Sequence, residues 1–324
     1  MKRTQPYPVG NRKVAIIGSG YVGSSIAYAL ALRDIAREIA VIDINVKKAD
    51  GEAKDIRHGI PSMGTADLYA GDYSDCRDCD LIVVTAGRGR KPGESRLDLI
   101  SENVKVMRNV IDSIKEYYTN GVIMIVSNPV DILTLKATEW MGLPDGMVFG
   151  TGCVLDTSRF IRAVADYIGL STGVISGYLV GEHGDSQVPV WSRVNVGSIP
   201  IAEYCEDAGI EWNEEIRKQL AEKTKVMGAD IINAKSRTHY GIATCVSYLA
   251  DAVLNQRPTI ASVCSVLRGE HGVRDVALSV PSVVGPAGVQ QRIRERWDPE
   301  EYRGFFDAVE REREALAQLE ETQN

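Results

Sequence analysis

The 324-residue chain is poor in several things at once: four histidines, four phenylalanines, six scattered cysteines, no net positive charge and no long apolar run. No stretch reaches the 18 or more apolar residues of a bilayer-crossing helix, and the opening Met-Lys-Arg-Thr-Gln-Pro-Tyr-Pro has no apolar leader. A protein that stays in the cytoplasm, with no membrane partner, is therefore expected. A formal net charge of -7 argues against a nucleic-acid partner, since such surfaces are basic. Cys76, Cys79, Cys153, Cys205, Cys245 and Cys264 form no disulfide-like framework in a chain this long, so free thiols are expected. Cys76-Arg-Asp-Cys79 has the spacing of a redox or metal half-motif, but no second pair or histidine cluster accompanies it. It reads as two ordinary loop cysteines, and no metal is expected. Internal repeats and low-complexity tracts are absent.

What is present is a globular composition, 44% hydrophobic and 25% charged, in a chain longer than one core usually supports. Two domains are expected, residues 1–150 and 151–324. Apolar β-branched runs at Lys13 to Ile17, Ile39 to Ile42, Leu81 to Thr85 and Val122 to Val126 read as buried parallel strands. Between them, Ile100, Val104, Met107, Ile111 and Ile114 recur at helical spacing. The alternation implies βαβ units and an α/β fold with a doubly wound parallel sheet of the Rossmann type. Past about Gly150 the pattern loosens into a mixed α+β half: a helix near Thr157 to Ile168, strand-like pieces from Val174 to Ile201, and a helix over Trp212 to Ala234. An amphipathic helix closes the chain, with Tyr302, Phe305, Val309, Leu316 and Leu319 on one side.

Directly after the first strand stands Gly18-Ser-Gly20-Tyr-Val-Gly23, at the opening of a helix. The first glycine permits a tight turn, the second lets backbone approach a pyrophosphate, and the third lets helix and strand pack closely. Asp43 ends the second strand 20 residues after Gly23, where a carboxylate can accept hydrogen bonds from an adenosine ribose. A 2′-phosphate would meet like charge there, so NAD is favoured over NADP despite Lys47 and Lys48 nearby.

Two further groups carry chemistry. Gly181-Glu-His183-Gly-Asp185 puts a histidine between glycines at a strand end, while Asp156 and Arg159 share one side of the helix upstream. A carboxylate beside an imidazole favours its protonated form, and an arginine can hold a substrate carboxylate by two parallel hydrogen bonds. Residues 87–96, Gly-Arg-Gly-Arg-Lys-Pro-Gly-Glu-Ser-Arg, form a glycine-punctuated loop rich in arginine.

Gly18 to Gly23, Asp43, Thr85-Ala86-Gly87, Gly93-Glu-Ser-Arg96, Ser127-Asn128-Pro129-Val-Asp131, Leu155-Asp156-Thr-Ser-Arg159 and Gly181 to Asp185 stand in the order and spacing of the lactate/malate dehydrogenase family, which the chain resembles from about Lys13 to about Trp297. The resemblance implies an NAD-dependent L-2-hydroxyacid dehydrogenase acting on a small 2-oxo or 2-hydroxy acid, in a homotetramer or homodimer. It implies that His183 gives and takes the proton, that Asp156 orients it and that Arg159 anchors the substrate's C1 carboxylate. Arg96 would polarise the C2 carbonyl, Asn128 hold the substrate oxygen, Thr238 line the pocket and Ile242 back the nicotinamide ring. A catalytically silent dinucleotide-binding protein is the alternative of another class.

Specificity divides the resemblance. The loop residue six before the polarising arginine is typically glutamine in lactate dehydrogenases and arginine in malate dehydrogenases; here it is Arg90. Glu94, the run around Glu182 and His183, Val188-Pro-Val-Trp191 and Thr238 look more like lactate dehydrogenase. Closing Arg90 over pyruvate would leave its charge poorly paired, at roughly 2 to 5 kcal/mol, against about 1 to 3 kcal/mol for a pocket-volume change. The expected substrates are malate and oxaloacetate, with lactate and pyruvate as the alternative. Sugar-bisphosphate-activated relatives carry an arginine and a histidine where this chain has Ile161 and Ser176, so no such activation is expected. Arg237, beside Thr238, is unusual for either type.

Overall fold

The structure is a computed structural model that describes residues 11–62, 64–89 and 96–323. Its first half runs β1 (Lys13–Ile17), α1 (Tyr21–Leu32), β2 (Glu38–Ile42), α2 (Val46–Gly59), β3 (Asp67–Ala70), β4 (Leu81–Val84), α3 (Arg96–Tyr117), β5 (Val122–Ile125), α4 (Val130–Met141) and β6 (Val148–Gly150). The second half adds α5 (Val154–Ile168), then the short strands β7 (Ile175–Ser176), β8 (Leu179–Val180), β9 (Val188–Pro189), β10 (Asn195–Val196) and β11 (Ile199–Pro200). It ends with α6 (Ile201–Ala208), α7 (Glu214–Lys235), α8 (Tyr240–Leu254), the long strands β12 (Thr259–Arg268) and β13 (Arg274–Gly285), β14 (Gly288–Arg292), and α9 (Pro299–Gln323).

The four strands read from apolar runs form within one residue at each end, because β-branched residues buried on both sides suit a covered parallel sheet. Their order is β3-β2-β1-β4-β5-β6, all parallel, with β1 pairing β2 on one side and β4 on the other. The chain thus reverses its direction of sheet growth at β1, and in open α/β sheets the crevice at such a reversal takes the ligand. The sheet does not stop near residue 150: Gly150 of β6 pairs Cys264 of β12, and β12, β13 and β14 extend the sheet antiparallel to nine strands.

The helical face read over α3 is buried throughout, from Ile100 to Ile114, and packs on Ile82, Val84, Ile123 and Ile125. Cys76 and Cys79 sit in that same core, and burial pushes the Cys76 thiol up to about 12. They lie in the short connection before β4, as expected, but with their side chains packed into the core. All six cysteines are free and buried. On the sheet's other face α1 packs against α8, Ile26 and Leu30 meeting Val246 and Leu249 in one cluster. Among the described residues no helix is long and apolar enough to cross a membrane.

Candidate active site

The glycine turn joins β1 to α1. Gly18 has φ +107°, which disfavours any side chain, and a Cβ on Gly23 would lie 1.9 Å from the Gly18 carbonyl oxygen. A Cβ on Gly20 would meet nothing within 4 Å, so the space beside the second glycine is open. Gly20 caps α1 without any side-chain hydrogen bond, and no acid occupies the first turn. Free N–H groups and the positive helix end thus face open space, the arrangement a dinucleotide's pyrophosphate requires.

Asp43 follows β2 and is tied into this turn. Its Oδ2 accepts from the Ser19 N–H at 2.6 Å and the Ser19 hydroxyl at 2.9 Å, and Oδ1 accepts from the Asn45 N–H at 2.8 Å. Partial burial works against its charge, but these donors and Lys48 outweigh burial and hold the carboxyl below its ordinary range. The acid remains charged at neutral pH, as a ribose-binding carboxylate must be. Thr85 closes the turn from β4, its hydroxyl 3.1 Å from the carbonyls of both Ile17 and Gly18, and Ala86 and Gly87 lead out of the sheet beside it.

Residues distant in sequence meet around His183. The imidazole Nδ1 lies 2.5 Å from Asp156 Oδ2, and the other Asp156 oxygen accepts from Arg159 Nη1 at 2.9 Å. Asp156 is 5% exposed and His183 26%, so the acid is buried behind an imidazole that still reaches a cleft. Burial lowers the tendency of His183 to carry a proton, but the Asp156 charge and hydrogen bond, with help from Asp131, outweigh burial and the opposing Arg159 and raise it above the ordinary 6.5. Asp156 moves the other way: burial pushes it up, and His183 and Arg159 together draw it below 3.8. Each partner thus favours the charged form of the other, imidazolium beside carboxylate.

His183, Asn128, Arg159, Thr238 and Ile242 line one cavity of about 360 Å³, whose remaining wall is mainly apolar, from Val22, Val126 and Leu155. A neighbouring cavity of about 250 Å³ joins His183 and Asn128 to Leu99 and Ile100. The first turn of α3, which begins at Arg96, thus borders the imidazole. Arg90 and the side chain of Arg96 lie outside the described residues.

Two residues given no role by the sequence reading turn out to organise the site. Asn103, 3% exposed on α3, accepts from the Arg88 N–H at 3.0 Å and donates to the carbonyls of Arg88 at 3.1 Å and Asn128 at 2.7 Å. It fastens the start of the arginine loop to Asn128. Its signal was a polar residue inside an apolar stripe, between Ile100 and Met107. Asp131, buried in the first turn of α4, accepts from the His183 backbone N–H at 2.8 Å. Burial pushes it up to about 6 against the pull of the Cys264 thiol and His183. Nothing local in the sequence links positions 131 and 183.

Comparison with known proteins agrees with this geometry. Residues 12–150 match the model of the lactate/malate dehydrogenase NAD-binding domain, and residues 153–321 that of the lactate/malate dehydrogenase alpha/beta C-terminal domain. The L-lactate dehydrogenase of Priestia megaterium is 41% identical over 290 residues, covering 90% of this chain and 91% of its own. That of Acetivibrio thermocellus is 38% identical over 291 residues, covering 90% and 92%. Among solved structures, the ligand-bound minor L-lactate dehydrogenase of Enterococcus mundtii superposes with a TM-score of 0.91 at 38% identity, covering 96% of this chain and 98% of that one. In sequence over nearly its whole length and in fold, the chain belongs to the lactate/malate dehydrogenase family of NAD-dependent oxidoreductases.

Proposed function

We propose that the protein interconverts pyruvate and L-lactate, and that the observation carrying this reading is the single cavity shared by His183, Arg159, Asn128, Thr238 and Ile242. NAD(H), when bound, supplies or accepts the hydride at the substrate's C2. The chain's own residues do the rest. Arg159 anchors the C1 carboxylate, Asn128 holds the C2 oxygen, and Ile242 backs the nicotinamide. In reduction the His183 imidazolium gives its proton to the oxygen as hydride arrives at carbon; in oxidation the neutral ring takes it back. Asp156 orients the ring and keeps it charged until then, and Arg96 polarises the carbonyl from the start of α3. Gly18, Gly20 and Gly23 receive the pyrophosphate, Asp43 the adenosine ribose, and Thr85, Ala86 and Gly87 form the adjoining wall. Residues 1–150 serve as the dinucleotide-binding half and 151–324 as the substrate half, in a homodimer or homotetramer.

The lactate reading is supported by the names of the relatives above and by Thr238 in the cavity wall. A second reading, malate and oxaloacetate, is favoured by Arg90, whose guanidinium would match a second carboxylate. The ratio of kcat/KM for pyruvate to that for oxaloacetate, with NADH, decides between them. A ratio above one is expected, and a hundredfold preference for oxaloacetate would give the substrate to Arg90.

A further inference from the structure

Arg237 is exposed and lies next to Thr238. Residues 236–239 join α7 to α8. Thr238 lines the substrate cavity, whereas Arg237 lays its guanidinium over the ring of Tyr21, with Cζ 3.8 Å from the ring centroid. Tyr21 is the first residue of α1, immediately after Gly20. A second contact fixes the turn there: His239 Nδ1 lies 2.9 Å from the Ser25 hydroxyl on α1, and its Nε2 lies 3.3 Å from Lys235 Nζ. The His239 ring also leans on Tyr21, centroid to centroid 5.7 Å.

Two cations are thereby carried to the glycine turn from the other half of the chain. Lys235 is engaged, hydrogen-bonded to His239 and placed over Tyr240. Arg237 has no hydrogen bond or ion pair among the described residues, so its fork of donors stays open. The acid nearest the turn, Asp43, already accepts from Ser19 and Asn45, and the first turn of α1 carries no other. Stacking on an exposed tyrosine is a weak interaction, enough to orient a guanidinium without consuming its donors.

We propose that Arg237 binds phosphate: held on Tyr21, it donates to the diphosphate of the dinucleotide from across the cleft, opposite the N–H groups of the glycine turn. The substrate carboxylate is the less fitting partner, because Arg159 stands in the substrate cavity and Arg237 does not line it. The inference rests on the NAD-dependent reading and adds to it a residue, and a Tyr21–Arg237 clamp, that the glycine motif does not contain.

The test is equilibrium binding to the full chain: NADH followed by fluorescence, with ADP-ribose and adenosine as competitors. Arg237→Ala should weaken NADH and ADP-ribose alike by roughly tenfold, leave adenosine unchanged, and make NADH binding less salt-dependent. Arg237→Lys should recover part of the loss, since a point charge replaces a fork. Tyr21→Leu should weaken NADH by a smaller factor, because the guanidinium then lacks its rest. Unchanged affinity for NADH and ADP-ribose in Arg237→Ala, or a loss confined to the KM of the 2-oxo acid, would overturn the proposal. A wild-type chain that bound no NADH would instead remove the reading on which it rests.

Discussion

The glycine turn and the imidazole cluster solve the same problem, holding groups still at the edge of one sheet, by opposite means. The turn is built from neighbours: Gly18, Ser19, Gly20 and Gly23 lie within six residues, and its distant ties, to Asp43 and Thr85, come from adjoining strands. The cluster is built from strangers. Asp131, Asp156 and His183 arrive from α4, α5 and the loop after β8, and two hydrogen bonds, of 2.8 Å and 2.5 Å, fasten the imidazole and its backbone. A backbone cradle depends on the absence of side chains, whereas an acid/base pair depends on two particular ones, so the two regions should break differently.

The largest expected effect is in the cluster. His183→Gln removes the proposed proton donor and should lower kcat by roughly 10² to 10⁴-fold, with NADH affinity held within about twofold. A loss of NADH binding of the same size would erase the distinction between the regions. The turn should fail in the complementary way. Gly23→Val sets a branched side chain where even a Cβ falls 1.9 Å from a backbone oxygen, and should cost about 1 to 3 kcal/mol of stability together with most of the NADH affinity. Calorimetry and NADH titration check it, and wild-type values for both would show that the close packing of α1 is dispensable.

Asn103 ties Arg88, at the start of the arginine loop, to Asn128, which shares the imidazole's cavity, and Asn103→Leu sharpens the comparison. It leaves the Arg88 N–H and two carbonyls unpartnered, and should lower kcat/KM for the oxo acid about tenfold while changing NADH affinity less. Equal effects on both would mean that Asn103 supports nucleotide binding as much as the imidazole cluster. The smallest expected effect is none. The cavity of about 500 Å³ between α5, α8 and β12, lined by Ile161 and Ser176, has no charged residue in its wall, so fructose 1,6-bisphosphate should leave the KM for pyruvate unchanged. A severalfold fall would mean that phosphate is read elsewhere.

The same contrast governs how much was legible in the sequence. Strands β1, β2, β4 and β5 and the glycine turn could be read because their signals are contiguous, a run of Val and Ile or a spaced triplet of Gly. Asp156 and Arg159 could be paired because three residues along a helix share a face. The helix near Thr157 began three residues early, at Val154, and α7 started two residues later than Trp212. What stayed hidden required two distant segments to meet. Asp131 under His183, Asn103 between Arg88 and Asn128, and Arg237 on Tyr21 are partnerships across 52, 15 to 25 and more than 200 positions, and no periodicity encodes them. The continuation of the sheet through β12 was hidden likewise, since a single pairing of Gly150 with Cys264 joins the two parts. The cysteines at 76 and 79 do lie in the connection between β3 and β4, but their polar neighbours gave no sign that both thiols are buried.

The proposed catalysis requires a charged imidazole held by a buried carboxylate, and the pH dependence of kcat/KM for pyruvate reduction tests that directly. Reduction consumes the imidazolium, so the rate should fall as pH rises through a value above 6.5 in the wild type. Asp156→Asn removes the charge that raises it, and the fall should move to lower pH, with kcat/KM at pH 8 reduced at least tenfold. An alkaline limb at the same pH in both proteins would contradict the assignment of His183 and Asp156 as the acid/base pair.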